Sequence, residues 1–192
     1  MKAGVILFPG AGTSANHQSL VAIETSLKRI NPKLNVRRVD FPYRSAGKSF
    51  PDRTPVMIEC VRDAIQQAAK DWCCEESEIV VGGRSMGGRM CSMAIAQAEQ
   101  KLEVAALVCI CYPLHPPKKP ENLRSEHLPR ITVPTLFISG TRDEFGTVDE
   151  LKNATATMKT KVTHEWIEGA RHDLKNKDEV VADLVAGWVG AL

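Results

Sequence analysis

Residues 79–88 decide the fold, and they read Ile79-Val80-Val81-Gly82-Gly83-Arg84-Ser85-Met86-Gly87-Gly88. The apolar β-branched run at the start predicts a short buried strand, and residues 86–97 fit a helix behind it. Between the two, residues 83–87 match the pattern Gly-x-Ser-x-Gly, in which a strained strand-to-helix turn exposes a serine hydroxyl. Glycine is expected two residues before and two residues after the serine, because larger side chains at these positions would collide with neighbouring backbone. Ser85 is therefore a candidate nucleophile.

Short apolar runs recur on both sides of this stretch and alternate with helical patterns. Several runs are continuous rather than alternating, which is typical of a parallel sheet covered by helices on both faces. Helical spacing is seen in residues 20–30, in residues 54–72 with Thr54 as the expected N-cap, and in residues 181–192. The sequence thus predicts a single α/β domain over residues 1–192 with about six parallel strands. The predicted strands are residues 4–9, 34–40, 79–82, 105–111, 135–139 and 162–166.

Composition excludes several classes of protein. The 192 residues suit one domain, and a formal net charge of +2 with 5% aromatic residues argues against direct nucleic-acid binding. No apolar run is long enough to cross a bilayer, and no signal peptide is evident, so we expect no membrane contact and an intracellular location, cytoplasmic or nuclear. The six cysteines show no zinc-binding spacing, so we expect reduced thiols, no metal and no cofactor.

Two loops further along the chain supply candidate partners for Ser85. Asp143 follows the predicted strand 135–139, and His172 follows the strand 162–166. The carboxyl ends of parallel strands meet at one edge of a sheet, and the order Ser, acid, His is that of known hydrolase triads. The sequence therefore predicts a catalytic triad of Ser85, Asp143 and His172. Asp173 is the weaker candidate for the acid because adjacent side chains rarely reach the same imidazole.

A second glycine motif follows the first strand and has two interpretations. Residues 10–15 read Gly-Ala-Gly-Thr-Ser-Ala, a variant of the dinucleotide-binding fingerprint with Asp40 as its acidic residue. The gap of 25 residues between Ala15 and Asp40 is longer than the usual gap of about 20. Alternatively, the turn is half of an oxyanion hole, in which the backbone N–H groups of Ala11 and Met86 bind the developing negative charge. The second interpretation accounts for both glycine motifs.

Basic residues and prolines surround the candidate triad. Arg84, Arg142 and Arg171 each precede one of its members, and we interpret them as a solvated rim, with attraction of anionic substrates as the alternative. Other basic residues are expected nearby, namely Arg44, Arg89, Lys118 and Lys119. The irregular segment 113–134 contains five prolines before Pro134, so it should form a semi-rigid wall rather than a closing lid.

Five segments carry a family resemblance: Phe8-Pro9-Gly10-Ala11-Gly12, Asp40-Phe41-Pro42-Tyr43-Arg44, Gly82 to Arg89, Tyr112-Pro113-Leu114-His115-Pro116-Pro117 and Gly140-Thr141-Arg142-Asp143. The chain resembles the α/β-hydrolase superfamily, especially its small lidless group of dienelactone-hydrolase-like proteins. Within that group it is most similar to the α/β-hydrolase-like domain of testis-expressed proteins and of a subunit of the non-specific-lethal acetyltransferase complex. The resemblance implies a fold without a cap domain and, here, without the two leading antiparallel strands of larger relatives.

The motifs together predict a serine hydrolase that cleaves a small ester or thioester through an acyl-enzyme. A small-molecule acyl compound is the expected partner, and the triad does not distinguish an ester from a thioester. Two alternatives stay open. The resemblance to a complex subunit allows an interaction module with weak catalysis, and the first glycine motif allows a dinucleotide-binding protein of the Rossmann type.

Overall fold

Six parallel strands form one sheet in the computed structural model, which describes residues 2–192. The strands are β1 (Gly4–Phe8), β2 (Asn35–Arg38), β3 (Ile79–Arg84), β4 (Ala106–Ile110), β5 (Thr135–Gly140) and β6 (Val162–Ile167). Their order across the sheet is β2-β1-β3-β4-β5-β6, and every neighbouring pair is parallel. This confirms the predicted α/β class and all six strands, whose ends lie within two residues of the predicted ones.

Helices cover both faces of the sheet. They are α1 (Gln18–Ile30), α2 (Pro42–Ser45), α3 (Thr54–Trp72), α4 (Met86–Ile95), α5 (Val148–Thr155) and α6 (Asp178–Gly190). The prediction that Thr54 caps α3 is wrong. Arg53 is the N-cap, without a side-chain hydrogen bond, and Thr54 is already helical with Pro55 in the first turn. Proline fits there because the first helical N–H groups have no intrahelical acceptor.

The core consists of two apolar layers separated by the sheet. In β1, Val5 and Leu7 face the layer that contains α1 and α6, whereas Ile6 and Phe8 face the layer that contains α3 and α4. Both layers are buried, which explains why β1, β4 and the start of β3 read as continuous apolar runs. Among residues 2–192, no helix has both the length and the apolar character needed to cross a membrane.

The sheet brings four loops to one edge. Strands β1 and β3 are neighbours although β2 lies between them in sequence, so the order of the strands reverses there. Ligands of open α/β sheets bind at such a reversal, beyond the carboxyl ends of the strands. The loops after β1, β3, β5 and β6 carry Ala11, Ser85, Asp143 and His172 respectively. Between β4 and β5 the described chain forms one 3₁₀ turn (Leu128–Arg130) and no cap domain.

Candidate active site

Ser85 occupies a strained turn between β3 and α4. Its φ of 49° and ψ of −115° lie where non-glycine residues are rarely found, and such strain is typical of functional positions. A Cβ atom added at Gly83 or at Gly87 would lie 2.3 Å from the carbonyl oxygen of Phe8. The turn can therefore form only with glycine two residues before and two residues after the serine, as the sequence predicts. The hydroxyl is thereby lifted into an open pocket lined by the loops after β1 and β6.

Two backbone N–H groups beside Ser85 have no protein acceptor. Met86 is the first residue of α4, and Ala11 follows β1; among residues 2–192 neither N–H donates a hydrogen bond. Both residues line the same pocket as Ser85. Tyr43 is fully buried, and its hydroxyl accepts a hydrogen bond from the N–H of Gly12 at 3.3 Å, which fixes the loop that carries Ala11. The two free N–H groups are suited to bind an oxyanion.

His172 connects Ser85 with Asp143. Its Nε2 atom lies 2.9 Å from the Ser85 hydroxyl oxygen, and its Nδ1 atom lies 2.9 Å from each carboxylate oxygen of Asp143. A carboxylate can only accept, so Nδ1 carries the proton and Nε2 is free to accept one from the serine. The Asp143 side chain is 1% exposed and the His172 side chain 16%. The Phe145 ring packs over the imidazole with 4.0 Å between ring centroids.

Asp173 lies beside the pocket but does not contact the imidazole of His172. Its side chain accepts a hydrogen bond from the N–H of Lys175 at 3.3 Å. Asp143, by contrast, also accepts from the N–H of Phe145 at 2.9 Å, so the loop after β5 holds its carboxylate in place. The structure therefore brings together the three side chains that the sequence predicts as a triad, and Asp143 rather than Asp173 lies next to the imidazole ring.

Arg84 differs from the expected solvated rim. It is 8% exposed, and its guanidinium donates hydrogen bonds to the backbone carbonyls of His172, at 3.2 Å, and of Asp173. The side chain thus ties the end of β3 to the loop that carries His172. Arg142 and Arg171 are exposed, in agreement with the rim interpretation. The inward direction of Arg84 depends on a loop 88 residues away, which no local pattern could indicate.

The first glycine motif is arranged differently from a dinucleotide site. Asp40, the candidate ribose-binding acid, accepts a hydrogen bond from the N–H of Ala15 at 2.7 Å. Helix α1 begins at Gln18, several residues after the motif, whereas the fingerprint requires its glycines to open a helix directly. Asp40 thus closes the loop that carries Ala11.

A buried cysteine lies near the two titratable partners of Ser85. Ligand-type atoms of Cys111, Asp143 and His172 lie within 4.8 Å of one another, a spacing that a metal ion could bridge. The donor set fits a metal poorly because burial raises the pKa of the Cys111 thiol well above its ordinary value. Asp143 and His172 are also hydrogen-bonded to each other. We interpret Cys111 as a packing residue.

The pocket above Ser85 has a volume of about 900 Å³. Its walls come from four regions, represented by Gly10, Pro51, Pro113 and His172. A small organic molecule fits a space of this size. A family model described as an alpha/beta hydrolase domain matches residues 1–184. The chain belongs to the alpha/beta hydrolase family.

Solved structures share the fold of this alpha/beta hydrolase. A serine hydrolase homologue from Coxiella burnetii has a TM-score of 0.72 at 18% identity, covering 98% of this chain and 86% of its own. Dienelactone hydrolase from Anabaena variabilis has a TM-score of 0.74 at 19% identity, with coverages of 99% and 87%. Est1E from Butyrivibrio proteoclasticus has a TM-score of 0.75 at 16% identity, with coverages of 99% and 88%. The TM-scores establish the shared fold, and the low identities leave the substrate of this alpha/beta hydrolase open.

The finer resemblance, to testis-expressed proteins and the acetyltransferase-complex subunit, stays a prediction for this alpha/beta hydrolase. Sequence reasoning missed Tyr43 as a support of the Ala11 loop. The residue stands in a Phe-Pro-Tyr-Arg segment whose proline could have indicated the short helix α2.

Proposed function

We propose that this protein is a serine hydrolase that cleaves a small ester or thioester through an acyl-enzyme on Ser85. The observation that carries the proposal is the continuous contact from the Ser85 hydroxyl through His172 to Asp143, with 2.9 Å at each step. Family membership and the folds of the neighbours support a hydrolase. The acyl compound would be a small molecule that enters the open pocket above Ser85.

The proposed first half-reaction transfers the acyl group to Ser85. The serine oxygen attacks the carbonyl carbon while its proton moves to Nε2 of His172. The carbonyl oxygen becomes an oxyanion and accepts hydrogen bonds from the N–H groups of Ala11 and Met86; removing one such donor typically costs about 3 kcal/mol of transition-state stabilisation. Collapse of the tetrahedral intermediate breaks the bond to the alcohol or thiol, which takes the proton from His172.

The second half-reaction repeats these steps with water as the nucleophile. His172 accepts a proton from the water, the acyl–oxygen bond to Ser85 breaks, and the serine recovers its proton. Asp143 stays ionised throughout, holds the imidazole in the required tautomer and stabilises the imidazolium. Because the Asp143 carboxylate is almost completely buried, its interaction with the imidazolium is poorly screened by solvent.

Covalent labelling with a fluorophosphonate probe tests the proposal. We expect the wild-type protein to be labelled and the Ser85→Ala variant to be unlabelled, because Ser85 combines a base with two free N–H donors. Ser92 provides a matched control: its hydroxyl oxygen lies 2.8 Å from His127 Nε2, but the residue is fully buried. Ser92→Ala should therefore label like the wild type. Labelling that persists in Ser85→Ala contradicts the proposal.

A further inference from the structure

Four arginines line the pocket above Ser85, and two of them already have partners. Arg84 donates to the backbone carbonyls of His172 and Asp173. Arg171 lies 3.5 Å from the carboxylate of Glu144. These two guanidinium groups are therefore compensated by the protein itself.

Arg89 and Arg124 are not compensated in this way. Within residues 2–192, no carboxylate lies within 4.0 Å of either guanidinium. The Nε atom of Arg89 is buried without a hydrogen-bond partner. The Arg124 side chain makes one long contact, 3.5 Å from its Nη1 atom to the carbonyl oxygen of Pro113. Both groups stay charged, since arginine does not lose its proton in proteins.

The surroundings of Arg89 disfavour a cation. Arg89 lies in the first turn of α4, where the aligned peptide dipoles already place positive partial charge. Burial lowers the pKa of its guanidinium; Tyr112 partly opposes this effect, and the positive charge of Arg124 adds to it. An anion between Arg89 and Arg124 would remove each of these costs.

Arg89 and Arg124 line the same pocket as Ser85. The N–H of Arg89 donates to the carbonyl of Ser85 at 3.1 Å, so the two residues are about one helical turn, or about 6 Å, apart along the helix axis at the start of α4. The backbone of Arg124 is fixed at two points. Its N–H donates to the carbonyl of Leu114 at 2.7 Å, and its carbonyl accepts from the Tyr112 hydroxyl at 2.7 Å.

We propose that Arg89 and Arg124 bind an anionic group of the substrate, so that the preferred substrates are esters or thioesters carrying a carboxylate or phosphate about one helical turn from the scissile carbonyl. This inference rests on the proposed function, since it names the substrate class of the Ser85 site. Guanidinium groups suit carboxylate and phosphate because their N–H groups match the geometry of two anionic oxygens.

Matched pairs of synthetic esters test the inference. Mono-4-nitrophenyl glutarate and 4-nitrophenyl valerate have acyl chains of the same length and differ in the terminal carboxylate. A second pair, 4-acetoxybenzoate and its methyl ester, places the charge on the leaving group instead. A third pair, a phosphonate-terminated acyl ester and its neutral diester, distinguishes phosphate-like from carboxylate groups. Rates are corrected with Ser85→Ala for spontaneous hydrolysis.

We expect wild-type kcat/KM to be at least about tenfold higher for the anionic member of one or more pairs. A tenfold ratio corresponds to the free energy of about one charge-assisted hydrogen bond. Arg89→Gln and Arg124→Gln should each remove most of this preference, because they lower kcat/KM for the anionic ester more than for its neutral partner. Lys119→Gln is the matched control, because Lys119 is exposed on the same loop as Arg124 and does not line the pocket. It should keep the preference, and the preference should persist at about 0.5 M salt, where long-range attraction is screened.

The outcomes separate this inference from the proposed function. If Ser85 hydrolyses neutral and anionic esters equally, or if the arginine variants slow both members of each pair equally, the inference is overturned and the hydrolase stands. If no ester is cleaved and Ser85 is not labelled, the proposed function fails. The anion site is then tested on its own, by measuring the binding of glutarate with calorimetry. Saturable binding that both arginine variants lose supports the anion site, and no binding by the wild type overturns it.

Discussion

Two aspartates lie beside His172, and only Asp143 contacts its ring, at 2.9 Å. Replacing Asp143 with asparagine removes the charge that stabilises the imidazolium, and its amide N–H₂ group favours the wrong tautomer of the histidine. We expect Asp143→Asn to fold normally and to lower kcat by about 10⁴-fold, the effect known for a well-studied serine triad. The measurement is steady-state hydrolysis of a 4-nitrophenyl ester, with circular dichroism to verify the fold.

Asp173→Asn is the matched control at the neighbouring position. The Asp173 carboxylate accepts only from a backbone N–H in its own loop, so this variant should retain most of the wild-type activity. If Asp173→Asn were the inactive variant and Asp143→Asn the active one, the acid would be wrongly assigned.

Sequence patterns predict the positions of some functional residues but not the contacts of others. Ser85, Asp143 and His172 each follow a strand, and parallel strands share one edge, so local patterns suffice to bring them together. The direction of Arg84 and the contact of Tyr43 with the Ala11 loop depend on segments far apart in sequence. No periodicity or motif contains that information, because it arises only when the loops pack against each other.

At the scale of elements, a buried histidine joins the 3₁₀ turn before β5 to helix α4. His127 Nε2 lies 2.8 Å from the Ser92 hydroxyl oxygen, which itself lies 2.7 Å from the carbonyl oxygen of Arg89. The carbonyl can only accept, so Ser92 donates to it and the neutral His127 donates to Ser92. Burial, together with the positive charges of Arg89 and Arg130, lowers the pKa of His127 to about 4.

This histidine should make the fold sensitive to mild acid. Between pH 6.5 and about 4, the unfolded chain binds a proton at His127 and the folded chain does not, so stability falls as the pH falls through this range. We expect the melting temperature of His127→Gln to fall less between pH 7 and pH 4.5 than that of the wild type. Differential scanning calorimetry measures the difference.

His164→Gln is the control for that experiment. Burial, together with Lys152, also lowers the pKa of His164, but this imidazole is only half-buried, so its substitution should flatten the pH dependence less. An equal or larger effect of His164→Gln would show that His127 is not the main acid-sensitive group.

Elements were predictable where a strong pattern exists. The buried strands and long amphipathic helices follow from apolar runs and from helical spacing. Helix α5 was missed although Thr147 and Glu150 form a capping box, a signature that is visible in the sequence. Helix α2 has only four residues, too few to show a period, and its tertiary contacts determine it.

At the scale of the whole molecule, two loops form walls of the pocket. Pro51 belongs to the loop between α2 and α3, and Pro113 and Arg124 belong to the proline-rich loop between β4 and β5. The second loop is anchored to the rest of the fold, since the N–H of His115 donates to the carbonyl of Phe145 at 3.0 Å. A long acyl chain would extend past these walls into solvent.

An open pocket limits discrimination by acyl length, because each methylene contributes about 0.8 kcal/mol only when it is buried. We expect kcat/KM to be flat or falling along 4-nitrophenyl acetate, butyrate, octanoate and palmitate, measured below the concentrations at which they form micelles. Phe50→Ala is an informative companion, since this side chain is 85% exposed and is next in sequence to Pro51, which lines the pocket. It should leave acetate turnover unchanged. A steep rise towards palmitate, or a lag that an oil–water interface abolishes, would mean that one of the two loops closes over the site as a lid, contrary to the anchored wall described above.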